Sequence, residues 1–179
     1  ERGEPAPPAE EKFLAKDGRV VDVEVMGTRM TYRGRPAVQA AFADITEQAG
    51  VGDTGYGQGA VAADVNGDGA VDLYVANYGP NVLYVNNGDG TFTDISAAAG
   101  VDDPRWSTSA AFFDADGDTD LDLYVANYVE FSLETHRVCG DPESGRVSYC
   151  HPDVYPSSPD ALYVNRGDGT FTDATERAG

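Results

Sequence analysis

The feature that most constrains the fold is a segment that occurs twice, 50 residues apart. Each copy contains a nine-residue window, at 64–72 and at 114–122, with oxygen-bearing side chains at positions 1, 3, 5 and 9. Phe42 and Phe92 each stand 22 residues before their window and begin similar stretches, and a third such stretch begins at Phe171. A period of this length with four strands is typical of a β-propeller blade. We therefore interpret the copies as two consecutive blades.

Alternation of apolar and polar residues predicts four short strands in each copy. In the first copy they lie near 58–63, 71–77, 82–86 and 91–95, and Gly88-Asp89-Gly90 predicts the turn between the last two. The fold class is thus mostly β, with two four-stranded blades of an incomplete propeller. Because propellers close with four to eight blades, we expect the chain on its own to be marginally stable or to self-associate.

The two windows have the ligand spacing of a calcium site, so two Ca²⁺ ions are predicted. Calcium takes six to eight oxygen ligands, and two carboxylates about 5 Å apart repel by roughly 3 kcal/mol at an effective dielectric constant near 20. An acidic surface turn is the alternative, because Asp, Asn and Gly favour turns by themselves. An EF-hand is excluded, since its position 12 must be Glu and is Val75 or Val125 here. The predicted ligands are Asp64, Asn66, Asp68, the carbonyl of Ala70 and Asp72 in the first window, and Asp114, Asp116, Asp118, the carbonyl of Asp120 and Asp122 in the second.

One insertion distinguishes the second copy. A surplus of 29 residues falls between Tyr128 and Asp160, which places the insertion at 129–159. It contains both cysteines of the chain, Cys139 and Cys150, whose spacing does not suit a zinc site. A disulfide between them would add about 3 kcal/mol of stability and indicate an oxidising compartment; two free thiols are the alternative. Just before the insertion, Trp106 is expected to pack between the blades.

The charge of the chain argues against two classes of partner. Its 12 basic and 31 acidic residues give a net charge of −19. Nucleic acid and anionic membranes are disfavoured, because binding their phosphates needs clustered Lys and Arg. No apolar run approaches the eighteen or so residues of a membrane helix, so no membrane span is expected. The chain starts with Glu and stops inside a repeat, and we expect it to be a piece of a longer protein with further blades.

The residues before the repeats follow a different pattern. Residues 1–10 are rich in Pro and Glu and are predicted to be an extended segment. Between 11 and 44, period-two alternation with turns at Asp17-Gly18 and around Arg33-Gly34 predicts a three-stranded antiparallel meander.

Over residues 2–47 the chain resembles the C-terminal half of a PAS domain. The resemblance is carried by R-G-E-P near the start, K-D-G-R-V-V-D-V-E-V, Y-R-G-R-P-A-V and the closing D-I-T-E. It implies the last three PAS strands. The PAS elements that close a ligand pocket would precede Glu1, so no cofactor pocket is assigned. We place the border to the repeats within 42–50 and assign 11–47 to the PAS-like unit and 48–179 to the repeats.

Over residues 42–179 the chain resembles FG-GAP/VCBS repeats, and more narrowly the ASPIC/UnbV-type, cartilage-acidic-protein-like family. The motifs are D-x-N-G-D-G-x-x-D-L-Y-V-A-N-Y, N-x-G-D-G-T-F-T-D-x-[ST], and Y-C-x-P-x-x-Y-P at 149–156. This resemblance implies a calcium-stabilised β-propeller, like the head of integrin α subunits, used in adhesion or extracellular recognition. The second window has Thr119 where Gly is usual, so a strained turn is expected there.

Two functional hypotheses follow. The first is a non-enzymatic, secreted or cell-surface protein that binds a protein or glycan on the propeller face, located outside the cell or in the periplasm. The second is a signalling protein in which a PAS remnant is fused to a propeller that senses or docks, which would be cytoplasmic if the PAS-like part is a working sensor. No nucleophile elbow, H-E-x-x-H motif or phosphate-binding loop occurs in the sequence, so we expect no enzymatic activity.

Overall fold

The computed structural model describes residues 9–14, 20–32, 35–141, 143 and 145–178. The chain forms two compact units, Glu1–Gly52 and Asp53–Gly179. The predicted extended segment lies outside the described residues except for positions 9 and 10, and the predicted turns at 17–18 and 33–34 lie outside them as well. The border predicted within 42–50, and with it the assignment of domains, stays a prediction.

The first unit contains a three-stranded antiparallel sheet in which neighbours in the chain are neighbours in the sheet. Residue 9 pairs with 25, and residue 23 pairs with 44, which is the predicted meander. A single helical turn follows and ends at Gly50, whose φ of 76° suits glycine. The elements are β1 (Ala9–Leu14), β2 (Val20–Tyr32), β3 (Arg35–Asp44) and α1 (Thr46–Ala49).

The second unit contains two four-stranded antiparallel sheets, one from each repeat, as the sequence predicts. Each predicted strand of the first repeat is present with ends shifted by at most two residues. The first sheet, in spatial order, consists of β4 (Tyr56–Ala63), β5 (Asp72–Tyr78), β6 (Val82–Asn86) and β7 (Phe92–Asp94), and α2 (Ser96–Ala99) follows it. The second sheet consists of β8 (Ser107–Phe113), β9 (Asp122–Asn127), β12 (Ala161–Asn165) and β13 (Phe171–Asp173), and α3 (Thr175–Ala178) follows it. Between β9 and β12 the insertion forms a separate two-stranded hairpin, β10 (Cys139–Asp141) and β11 (Arg146–Ser148).

The order of the second sheet is β8-β9-β12-β13, so the whole insertion is placed between two adjacent strands. An isolated bridge between Val129 and Ser157 closes its base, and a disulfide joins Cys139 to Cys150, the pairing considered from the sequence. The architecture is that of consecutive propeller blades, and the described residues form no closed ring.

The core lies between the two sheets and draws on both repeats. Tyr74 of the first repeat is fully buried, and its hydroxyl donates to the carbonyl of Val101 at 3.0 Å. The side-chain amide of Asn81 donates to the Tyr74 hydroxyl and to Ser107 Oγ, so these three buried polar side chains are paired with one another across the repeats. The core cluster contains Val65, Tyr74, Leu83, Ala99, Val101, Leu123, Val125, Ala161, Tyr163 and Phe171.

A second contact between the repeats is aromatic. The Trp106 ring packs edge-on against Tyr78 of the first repeat at 5.1 Å and Tyr128 of the second at 5.3 Å. This confirms the prediction that Trp106 packs between the blades. Phe131 and Tyr155 of the insertion extend the cluster. The insertion is thereby packed against the junction of the repeats.

Candidate metal centre

The loop between β8 and β9, residues 114–122, brings three acidic side chains together. Asp114, Asp116 and Asp122 each offer a carboxylate oxygen within 4.8 Å of the other two. Calcium binds oxygen at 2.3–2.6 Å, so ligands on opposite sides of one ion lie up to about 5 Å apart. Asp114 and Asp116 are exposed while Asp122 is fully buried. The donors are all oxygen and the spacing fits a calcium ion approached from solvent.

The turn of this second loop is fixed by its own carboxylates. Asp114 accepts the backbone N–H groups of Gly117 at 2.6 Å and Thr119 at 3.1 Å, and Asp118 accepts that of Asp120 at 3.0 Å. Thr119 has a φ of 80°, a conformation that costs an L-residue about 1–2 kcal/mol. This confirms the expectation that the turn is strained, because Thr119 stands where Gly is usual.

Electrostatics in the second loop favour a cation. Partial desolvation, together with the negative charges of Asp118 and Asp122, raises the pKa of Asp116 above its ordinary value. Crowded carboxylates are stabilised when a positive charge lies among them. The Asp118 carboxylate, a predicted ligand, is outside the three-carboxylate cluster. The prediction for Asp120 concerns its backbone carbonyl, which this cluster does not test.

The first loop, residues 64–72, is arranged differently. Asp64 accepts three backbone N–H groups, from Gly67, Asp68 and Gly69, at 2.8–3.1 Å. The side-chain amide of Asn66 donates to Asp68 at 3.0 Å. Within the described residues, no three carboxylates of this loop meet as they do in the second. Among the side chains predicted as ligands, the two loops differ at position 3, where the first loop has the amide of Asn66 and the second has the carboxylate of Asp116.

The last acidic residue of each loop has a structural role that the sequence reasoning missed. Asp122 accepts the backbone N–H of Ala115 at 2.8 Å and that of Asn165, at the end of β12, at 2.8 Å. In the first repeat Asp72, also fully buried, accepts the corresponding bonds from Val65 at 2.9 Å and Asn86 at 2.8 Å. Each loop is thus anchored to the third strand of its own sheet. An Asn at the end of that strand in both repeats is the signal that could have indicated this link.

The insertion creates two adjoining concave regions that no residue of the two acidic loops lines. Their volumes are about 640 and 610 Å³, and both are lined by Trp106, Phe131, Arg137 and Tyr155. Four large apolar side chains of the insertion are exposed: Leu133, Val138, Val147 and Tyr149. Three of these side chains, Val138, Val147 and Tyr149, line the second concave region.

Comparison with protein families identifies one segment of the chain. Residues 64–125 match the FG-GAP-like repeat. This segment begins at the first acidic loop and ends within β9, so it contains both loops. A comparison with curated proteins found no match. In the described part of the chain, no helix is long and apolar enough to cross a membrane.

Proposed function

We propose that the repeats are part of a calcium-stabilised β-propeller in a secreted or cell-surface protein, one that binds a protein or glycan and catalyses no reaction. The observation that carries this is the cluster of Asp114, Asp116 and Asp122 inside a segment that matches the FG-GAP-like repeat. The narrower ASPIC/UnbV assignment belongs to this proposal. So does the location outside the cytosol, which the disulfide between Cys139 and Cys150 supports.

In this proposal the second loop holds calcium through the three clustered carboxylates, with Asp118 and the Asp120 carbonyl as further oxygen donors. The first loop holds a second ion through Asp64, Asn66, Asp68, the Ala70 carbonyl and Asp72. Bound calcium supplies positive charge that offsets repulsion among the carboxylates. The chain's own contribution is rigidity, because Asp72 and Asp122 tie the loops to strands that form the core.

Calorimetric titration with Ca²⁺ tests the proposal. We expect heat of binding, and a melting temperature that EDTA lowers, because a ligand at 100 times its Kd adds about 2.7 kcal/mol to the stability of the folded state. Asp114→Asn should weaken binding in the second loop. Asp102→Asn is the matched control, since Asp102 is an exposed carboxylate outside both loops. Absence of heat together with a melting temperature unaffected by EDTA would contradict calcium binding.

The ligand of the propeller is proposed to be a protein or glycan held near the insertion. The support is the concave aromatic lining beside Trp106 and the four exposed apolar side chains. A glycan array and a cross-linking experiment on intact cells would distinguish the two classes. Tyr149→Ser should weaken capture in either case, since Tyr149 is completely exposed and contributes little to folding.

The second candidate function is a signalling protein with a PAS-like sensor remnant. The observation that favours it is the three-stranded antiparallel meander of the first unit. Compartment separates the two candidates, because a cytosolic protein would keep its thiols reduced. Alkylation of intact cells before lysis should leave Cys139 and Cys150 unlabelled if the first candidate is right and labelled if the second is.

A further inference from the structure

The end of β12 contacts both acidic loops at once. Asn165 is 3% exposed, and its side-chain amide donates to the carbonyl of Val65 at 2.8 Å and to that of Leu121 at 3.0 Å. Val65 belongs to the first loop and Leu121 to the second. The backbone N–H of Asn165 also donates to Asp122, one of the clustered carboxylates. One buried residue therefore joins the first loop to the second.

The turn that follows Asn165 is packed closely against the same two loops. A Cβ on Gly169 would lie 3.2 Å from the Cβ of Asn66, and a Cβ on Gly167 would lie 2.7 Å from a carboxylate oxygen of Asp120. A side chain at Gly169 would require Asn66 to move by a few tenths of an ångström, and one at Gly167 would require the Asp120 carboxylate to turn away. The turn therefore lies close to both loops, with little space between them.

The first repeat provides an internal comparison. Asn86 stands at the end of β6 as Asn165 does at the end of β12. It makes the corresponding bonds within its own repeat, to Asp72 and to the carbonyl of Val71. Among the described residues its side chain makes no bond to a second acidic loop, and added Cβ atoms at Gly88 and Gly90 would meet nothing within 4 Å. The link between loops is thus specific to Asn165.

We propose that Asn165 couples the two loops, so that calcium in the second loop raises the calcium affinity of the first. This rests on the proposed function, in which both loops bind calcium. The second loop already has its carboxylates gathered, whereas Asn66 and Asp68 of the first are bonded to each other. When calcium orders the second loop, Asp122 holds the backbone N–H of Asn165 in place. The side-chain amide of Asn165 then holds the carbonyl of Val65. The N–H of Val65 is in turn bonded to Asp72 of the first loop. A site that is already ordered loses less conformational freedom when it binds.

The test is a double-mutant cycle read separately at each loop. Amide NMR signals of Gly67 and Gly69 report calcium in the first loop, and that of Gly117 reports the second. Asp114→Asn weakens the second site and should lower the affinity of the first by about 5-fold or more, within the usual range of coupling between sites. In an Asn165→Ala background the same Asp114→Asn change should alter the first site less than about 2-fold. Asn86→Ala is the matched control and should leave the coupling intact.

The outcomes separate the coupling from the proposed function. If the unaltered chain binds no calcium, both proposals fail. If it binds two ions but Asp114→Asn leaves the affinity of the first loop unchanged, or if Asn86→Ala removes the coupling as fully as Asn165→Ala, the coupling alone is wrong.

A measurement on the unaltered chain covers the case in which Asn165→Ala does not fold. Calcium is added to the level that fills the second loop only, and amide hydrogen exchange is followed at Val65. Slower exchange at Val65 before the Gly67 signal shifts supports the coupling. Unchanged exchange at Val65 overturns it.

Discussion

At the scale of single residues, Thr119 makes the turn of the second loop different from that of the first, which has Gly69 at the same position. Both loops turn at their sixth position with a positive φ, 88° at Gly69 and 80° at Thr119. A β-branched side chain is a rare occupant of this region. The N–H of Thr119 nevertheless bonds to Asp114, so the loop keeps its turn at the cost of backbone strain.

We predict that Thr119→Gly stabilises the repeats by about 0.5–1 kcal/mol. Relief of left-handed strain contributes about 1–2 kcal/mol, and the greater freedom of glycine in the unfolded chain offsets part of it. The reciprocal change, Gly69→Thr, should destabilise by a similar amount, about 0.5–1 kcal/mol, because both terms change sign. Urea unfolding of both variants checks the prediction. Equal stability of Thr119→Gly and the parent would mean that the turn is not strained.

The buried Asp103 gives the repeats a dependence on pH. Burial by itself raises the pKa of this carboxyl, but hydrogen bonds and the charge of Arg105 outweigh burial and hold the pKa below its usual range. The Arg105 Nε lies 2.7 Å from Asp103, and further bonds come from Asn127 and Tyr163 at 3.3 Å. A lowered folded-state pKa means that the ionised carboxylate stabilises the fold. That stabilisation is complete above the unfolded pKa near 4 and is lost as the pH falls through the folded value.

We predict that Asp103→Asn lowers the free energy of unfolding by about 2 kcal/mol at pH 7. This is below the 3–5 kcal/mol or so of a fully buried broken pair, since the Arg105 side chain is 30% exposed. The difference from the parent should shrink as the pH falls below about 4. Chemical unfolding at pH 7, 5 and 3 measures it. A difference that stays constant over this range would contradict the assigned role of the carboxylate.

At the scale of elements, strands were predictable from the sequence and loop geometry was not. Successive side chains of β5 and β6 point to opposite faces of the sheet, so apolar and polar residues alternate along each strand. A short stretch of sequence is enough to recognise this alternation. The contacts of a loop include partners far along the chain, as when Asn165 bonds to Val65, 100 residues away. Spacing alone therefore predicted two equivalent metal loops, whereas the structure clusters carboxylates in only one of them among the described residues.

The insertion shows the same limit. Its position followed from the interrupted register. The sequence offered a disulfide between Cys139 and Cys150 with two free thiols as the alternative, and the structure has the disulfide. Its packing against Trp106 through Phe131 could not be predicted, because Phe131 lies in the insertion and has no counterpart in the first repeat. Because the insertion occurs in only one repeat, comparing the repeats cannot predict which residues it contacts.

We predict that the disulfide stabilises the β10–β11 hairpin and not the sheets. The hairpin exposes Val147 and Tyr149 almost completely, so it has little apolar burial of its own, and a short closed loop adds about 3 kcal/mol. The double variant Cys139→Ser with Cys150→Ser should lose amide protection within 139–148 while strands β5 and β9 keep theirs. Hydrogen exchange with mass spectrometry measures both. Reduction of the parent should add two daltons, and a missing increase would mean that the bridge is absent.

At the scale of the whole molecule, the two repeats pack against each other through different faces. Equivalent residues are therefore buried in one repeat and exposed in the other. Tyr74 is fully buried against the second repeat, whereas its counterpart Tyr124 is 37% exposed. Val65 of the first loop is buried, and the corresponding Ala115 of the second is exposed. The hairpin turn at Gly169 is buried, and the corresponding Gly90 is exposed. One end of the pair thus offers an open acidic loop, and the other offers an open hairpin turn.

These open faces are the two halves of the contact that joins the first repeat to the second. A contact between unlike faces is heterologous, and it adds copies head to tail rather than closing as a two-fold dimer. We therefore predict that the isolated 179-residue chain associates with itself, with a mean mass that rises with concentration in light scattering. Tyr124→Lys places a charge on the open face at the position that corresponds to the buried Tyr74. It should weaken association at least about 10-fold, because an unpaired charge is costly to bury. Val147→Lys, the control, adds the same charge on the insertion hairpin and should leave association unchanged. If the unaltered chain is a compact monomer at every concentration, the exposed faces do not pair.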